Sequence, residues 1–191
     1  MNHNASLLGK NLSMLFWLII IQIVISIFSM IPVLGIVAMI LSLLCSVAYG
    51  YLLYKLAPES ENYHKAGLFY FILAAISLLS LILGRVRVLA VILSLANVVV
   101  GVLAVYCEFH AHGEVVAGYD AALAGKWETL WKLYIAFALV DLIGLIIGIF
   151  APVVGSVIIS IASIISLVVF ILKLVDLNKE AKLFNQMAGN A

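Results

Sequence analysis

Apolar residues along this chain come in long unbroken runs instead of alternating with polar ones. Six runs stand out, at 12–30, 33–54, 67–83, 88–107, 133–150 and 153–172. Each is close to the roughly 17–25 residues that a helix needs to cross ~30 Å of hydrocarbon. A helix satisfies its backbone hydrogen bonds within one segment, so the predicted class is all-α: a polytopic membrane protein with six transmembrane helices. The first run has one lysine ahead of it, exceeds an ordinary signal-peptide core and lacks an A-x-A-like cleavage site, so it is taken as a retained first helix.

Composition agrees with that pattern. Of 191 residues 66% are hydrophobic and 10% charged, where a soluble domain has roughly half and a quarter. A formal net charge of +1, with no basic patch interleaved with aromatics, argues against a nucleic-acid partner. The two cysteines, Cys45 and Cys107, fall at different depths and are expected to be free thiols used as small apolar side chains.

Lysines set the orientation. Lys10, Lys55, Lys65, Lys126, Lys132, Lys173, Lys179 and Lys182 all fall at one end of a six-span arrangement, and only Arg85 and Arg87 fall at the other. Basic loops stay cytoplasmic, so both termini are expected there, in a plasma membrane of bacterial inner-membrane type. Tyrosines and tryptophans gather at the same end, as interfacial rings do. The opposite turns, at 32–35, 84–87 and 152–155, are minimal.

Three helical hairpins result. Pro32, Val33, Gly35 and Val37 echo Pro152, Val153, Gly155 and Val157, which as a true repeat would imply parallel repeats about the membrane normal. The segment 108–132 mixes charged and apolar residues and is expected as a cytoplasmic interfacial helix, anchored by Trp127 and Trp131 one turn apart. The tail 173–191 is expected to continue the sixth helix as a solvated end without a partner.

Candidate chemistry centres on Asp141, the one acid inside a span. An ionised carboxylate there costs at least ~2.5 kcal/mol, so it must be paired, hydrated or protonated. Gly144 and Gly148 on the same face point it into the bundle. Counting down from the helix ends puts Asp141, Gln22 and Asn97 at one level, ~13 Å deep. Ser94, Ser160 and Ser163 would complete a polar layer in mid-membrane. Two readings remain open: a cation or proton site, and a protonated Asp141 that bonds Asn97 or Gln22 as packing glue. The second is the more economical, since one acid without a broken helix is thin support for transport.

Glu108, His110, His112 and Glu114 alternate at spacing two just after the fourth run. Histidines two apart converge on a metal only in an extended segment, so a solvated interfacial stretch is the expectation and no metal is assigned. Phosphate loops, nucleophile elbows and cysteine pairs are absent, leaving no catalytic residue and no cofactor to name. The first functional expectation is a small-solute or cation transporter or channel-like protein using the Asp141 layer. The second is a non-catalytic membrane scaffold or accessory subunit, and the third a membrane-bound lipid-modifying enzyme. Its expected partners are the lipid bilayer and a membrane protein or a second copy of the chain.

Overall fold

The computed structural model describes residues 4–28, 31, 34–83 and 85–190, and all of its regular structure is helical. Six helices follow one another: α1 (Ala5–Phe28), α2 (Gly35–Lys55), α3 (Glu61–Leu83), α4 (Arg87–Ala117), α5 (Ala121–Phe150) and α6 (Pro152–Gly189). All six are long and apolar enough to span a membrane. Local chemistry marks two of the starts. Asp120 caps α5 by accepting the Leu123 amide at 2.9 Å, and Pro152 opens α6, where its missing N–H would be unpaired anyway.

Each helix packs on the next, and α6 packs on α1, so the six close into a ring. One end gathers the start of α1, the connections 56–60 and 118–120, and the last turns of α6. There Asn4 donates its backbone N–H to Glu59, Ser60 and Asn62 hold Glu114, and Asn185 donates to the Ser13 hydroxyl. We call this the polar end. The apolar end holds Phe28, Gly35, Leu83, Arg87 and the α5–α6 junction at Ala151.

The helices overrun the apolar runs mainly at the polar end, and by no more than one residue at the other. α4 has 31 residues and α6 has 38, roughly 46 and 57 Å long at 1.5 Å per residue. The segment 108–132, expected as one surface helix, is divided between α4 and α5. Its first half continues α4 to Ala117, 118–120 form a turn, and its second half opens α5. Trp127 is fully buried instead of lying at a bilayer interface, and Trp131 is half-buried against Tyr106 and Tyr134. The tail also has partners: Leu177, Ala181 and Phe184 are core residues, and Asn185 sits against Gly9 of α1. The Pro-Val-x-Gly-x-Val echo falls partly on Pro32 and Val33, outside the described residues.

Candidate functional site: a buried charge cluster beneath a polar cavity

Helical geometry decides which polar residues meet. On α4, Glu108 and His112 are four apart and share a face, while His110 and Glu114 lie on another. The first pair points into the ring and is completely buried; His110 is half-buried and Glu114 exposed. The expected solvated stretch is therefore corrected for Glu108 and His112. The four do not converge, and no metal-binding group of three or more forms among the described residues.

Glu108 sits at the centre. Tyr49 of α2 donates its hydroxyl to Oε1, and Tyr70 of α3 donates to Oε2 at 2.7 Å. Lys173 of α6 reaches both oxygens, at 2.8 and 3.0 Å. Its ammonium also lies 5.2 Å from the Tyr49 ring centre and 5.5 Å from that of Phe109, a cation–π arrangement. Two tyrosines from different helices can reach one carboxylate because α2 and α3 touch at Gly50 and Gly67. A Cβ at Gly67 would come within 2.8 Å of the Gly50 carbonyl oxygen, so any larger residue would part the two rings, now 5.0 Å between centres.

A second carboxylate follows one turn further along. Glu180 is seven residues from Lys173 on α6 and fully buried. Its Oε2 lies 2.9 Å from His112 Nδ1, and its Oε1 accepts the Tyr63 hydroxyl at 3.4 Å. Tyr63 also stands 2.8 Å from Nδ1, so the hydroxyl and Glu180 share one ring nitrogen. The imidazole stacks on Trp127 at 4.3 Å between centres and 13° between planes. Its Nε2 lies 3.8 Å from Glu108 Oε1 and, like the Trp127 indole N–H, is buried without a hydrogen-bond partner among the described residues.

Such a cluster is held by its pairing. A buried charge costs several kcal/mol unless an opposite charge and hydrogen bonds compensate it. Glu108 has one ammonium and two phenols, and Glu180 has one imidazole and one phenol. Five of the six helices contribute, with Trp127 bringing in α5.

Above the cluster a cavity of about 570 Å³ opens among the helices. It is lined by residues of α1, α2, α3 and α6. Lys173, Tyr49 and Tyr70 lie at its deep end, while Gln22, Ser46, Ser163 and Ser166 line its walls. A second cavity of about 320 Å³ shares Ser26 and Ser46 with the first and reaches Gly35. The α2 residues that line the two cavities extend from Tyr49 to Gly35, roughly 21 Å.

The expected mid-depth layer is only partly assembled. Gln22 and Ser163 share the main cavity, whereas Ser94, Asn97 and Ser160 are exposed and do not line it. Asp141 is half-buried, and among the described residues no hydrogen bond or ion pair joins it to Asn97 or Gln22. What the sequence reading missed is the cluster itself. The signal was available as Glu108 and His112 at i, i+4, Tyr63 and Tyr70 at i, i+7, and Lys173 and Glu180 at i, i+7. Compared with protein-family models, with curated proteins and with solved structures, the chain matches none.

Proposed function

We propose that this chain is a multi-pass membrane protein that carries a small polar solute through its helix ring, with the Glu108–Lys173 cluster closing the path at the cytoplasmic end. The observation that carries the reading is the cavity with Gln22, Ser46, Ser163 and Ser166 on its wall and the Glu108–Lys173 ion pair at one end, among helices whose outer surface is apolar. Ile36, Val88, Phe150 and Val153 are all exposed on that surface, as lipid-facing residues would be. In this frame the helices form three hairpins across the plasma membrane, with both termini and the polar end in the cytoplasm.

Swelling of reconstituted vesicles tests it. Vesicles diluted into isosmotic solutions of uncharged, anionic, cationic and zwitterionic small solutes should swell faster with protein than without for at least one class. Equal rates for every class would overturn carriage. Orientation is tested separately by single cysteines in a background lacking Cys45 and Cys107. An impermeant maleimide added to intact cells should label position 86 and spare positions 60, 118 and 186, and labelling at 118 would reverse the assignment.

A second reading, a non-catalytic scaffold or accessory subunit, is favoured by one fact. The Glu108 carboxylate is hydrogen-bonded by Tyr49, Tyr70 and Lys173, on three other helices of the same chain, as structural glue would be. Failure of the swelling assay together with loss of fold on breaking the cluster would select it.

A further inference from the structure

We propose that the main cavity binds a small aliphatic amino-acid zwitterion, with its carboxylate on the Lys173 ammonium and its ammonium among the oxygens of Ser46, Ser163 and Gln22. This rests on the reading of the cavity as a solute site and names the solute class.

Charge balance limits the occupant first. The floor already holds one carboxylate against one ammonium, Glu108 Oε1 to Lys173 Nζ at 2.8 Å. A ligand with net charge would add a charge that this pair does not compensate. A zwitterion adds none, yet it can use charged partners at both poles.

Donor and acceptor placement fixes its direction. An ammonium has three N–H donors. Lys173 donates one to Glu108 Oε2, lies 2.8 Å from Oε1 and is itself a cavity-lining residue, so its three donors leave one for a ligand oxygen even if both carboxylate oxygens are served. The wall is of the opposite kind. Ser46 donates its hydroxyl to the Ser42 carbonyl at 2.9 Å, and Ser163 donates to that of Ile159 at 2.9 Å. Their protons are thus turned back onto their own helices and their oxygen lone pairs remain for a ligand donor. Gln22 adds an amide oxygen to the same chamber. A carboxylate fits the deep end and an ammonium fits the wall; the reverse would set ammonium against ammonium. Ile19, Ile23, Leu167 and Phe170 supply the rest of the lining, which suits an aliphatic side chain. The volume of about 570 Å³ falls within the ~300–1,000 Å³ usual for small-molecule sites.

Equilibrium binding to the purified full chain in lipid nanodiscs tests this with four probes: L-valine, 3-methylbutanoate, which lacks the amine, isobutylamine, which lacks the carboxylate, and glycerol. Valine should bind saturably, and each single-charge analogue about tenfold or more weakly, as expected for losing a charge-assisted hydrogen bond. Combining Ser46→Ala with Ser163→Ala should weaken valine by about tenfold without moving that of 3-methylbutanoate. The ion pair is untouched in that variant, so its fold is expected to survive. Replacing Lys173 and Glu108 together by glutamine keeps the chamber neutral and should abolish valine binding. If 3-methylbutanoate or isobutylamine binds as tightly as valine, the zwitterion is overturned while the cavity stands as a solute site. If none of the four binds, the zwitterion is again overturned, and the swelling assay with its wider panel decides separately whether the cavity carries anything.

Discussion

The two ends of the helix ring solve the burial problem in opposite ways. At the polar end the chain makes its own interior. Leu8, Leu12 and Leu15 of α1, Leu53 of α2, Tyr63 of α3, Trp127 of α5 and Phe184 of α6 are all shielded from solvent and packed in one cluster. At the apolar end Phe150 is 85% exposed, Val153 77% and Ile36 70%, and what holds the helices together is close approach. Gly155 of α6 sits against Gly148 and Gly144 of α5. The half that carries buried charges is the half packed like a soluble protein. A low-dielectric interior strengthens an ion pair but also raises the cost of leaving either member alone. Charges are therefore placed where the chain supplies the opposite charge itself.

The comparison predicts that the largest damage comes from breaking the cluster. Glu108→Leu removes the acceptor of two phenols and one ammonium and leaves Lys173 with its charge half-enclosed. Loss of one member of a buried pair costs about 3–5 kcal/mol. Thermal unfolding in detergent should show a large drop in Tm. A variant as stable as the wild type would mean that water reaches Lys173 freely and that the polar end is not a dry core.

Trp127→Ala comes next, at about 3 kcal/mol for deleting a fully buried indole. It also removes the face on which His112 stacks at 4.3 Å. Cys107, buried on α4 in the same core cluster, provides a local readout. Its reaction with a small thiol reagent should accelerate in the variant more than that of Cys45, which lies on α2 outside the buried core. Equal acceleration at both cysteines would signal global loosening and not a local core.

At the apolar end the same kind of insult should cost less. Gly155→Val places a Cβ within 2.8 Å of the Gly144 carbonyl oxygen, so α5 and α6 must separate there. Overpacking of this kind costs about 1–3 kcal/mol. In lipid the outward-facing side chains can follow the helices, and the loss of Tm should fall short of that for Glu108→Leu. A larger loss would reverse the ranking of the two ends.

How much of this was visible along the chain also divides by end. Apolar runs locate the helix limits near the apolar end closely: run 133–150 stops where α5 stops, and run 153–172 begins one residue after α6 begins. The opposite limits were drawn short, at 107 for a helix ending at Ala117 and at 133 for one beginning at Ala121. The polar residues that interrupt the runs there do not interrupt the helices. A hydropathy boundary marks where lipid would stop being the solvent, and the helix goes on wherever other helices take over that role. The cluster was missed for the same reason. Treated as an irregular segment, Glu108, His110, His112 and Glu114 alternate and none is special. As a helix, two of them face the interior and meet Tyr49, Tyr63, Tyr70, Lys173 and Glu180, which lie 38 to 68 residues away in the chain. No local pattern contains that meeting.

The smallest effect is expected at Asp141, where the sequence alone pointed most strongly. It is the one acid within an apolar run, but it is half-buried, it does not line the main cavity, and no hydrogen bond or ion pair joins it to Asn97 or Gln22 among the described residues. A carboxylate without protein partners contributes little to a folded state, and substitutions away from such networks usually stay within about 0.5 kcal/mol. Asp141→Asn keeps the volume and removes the charge, and Asp141→Leu removes the polarity as well. Both should match the wild type in Tm and in vesicle swelling, because neither touches Lys173, Glu108 or the serine wall. If Asp141→Asn keeps the Tm but halts swelling, the charge at Asp141 is used in carriage, and the path must run past α5 instead of down the cavity between α1, α2, α3 and α6. If Asp141→Leu alone is destabilised, the side chain is a hydrogen-bonding strut, and the apolar end holds a polar contact that would narrow its contrast with the polar end.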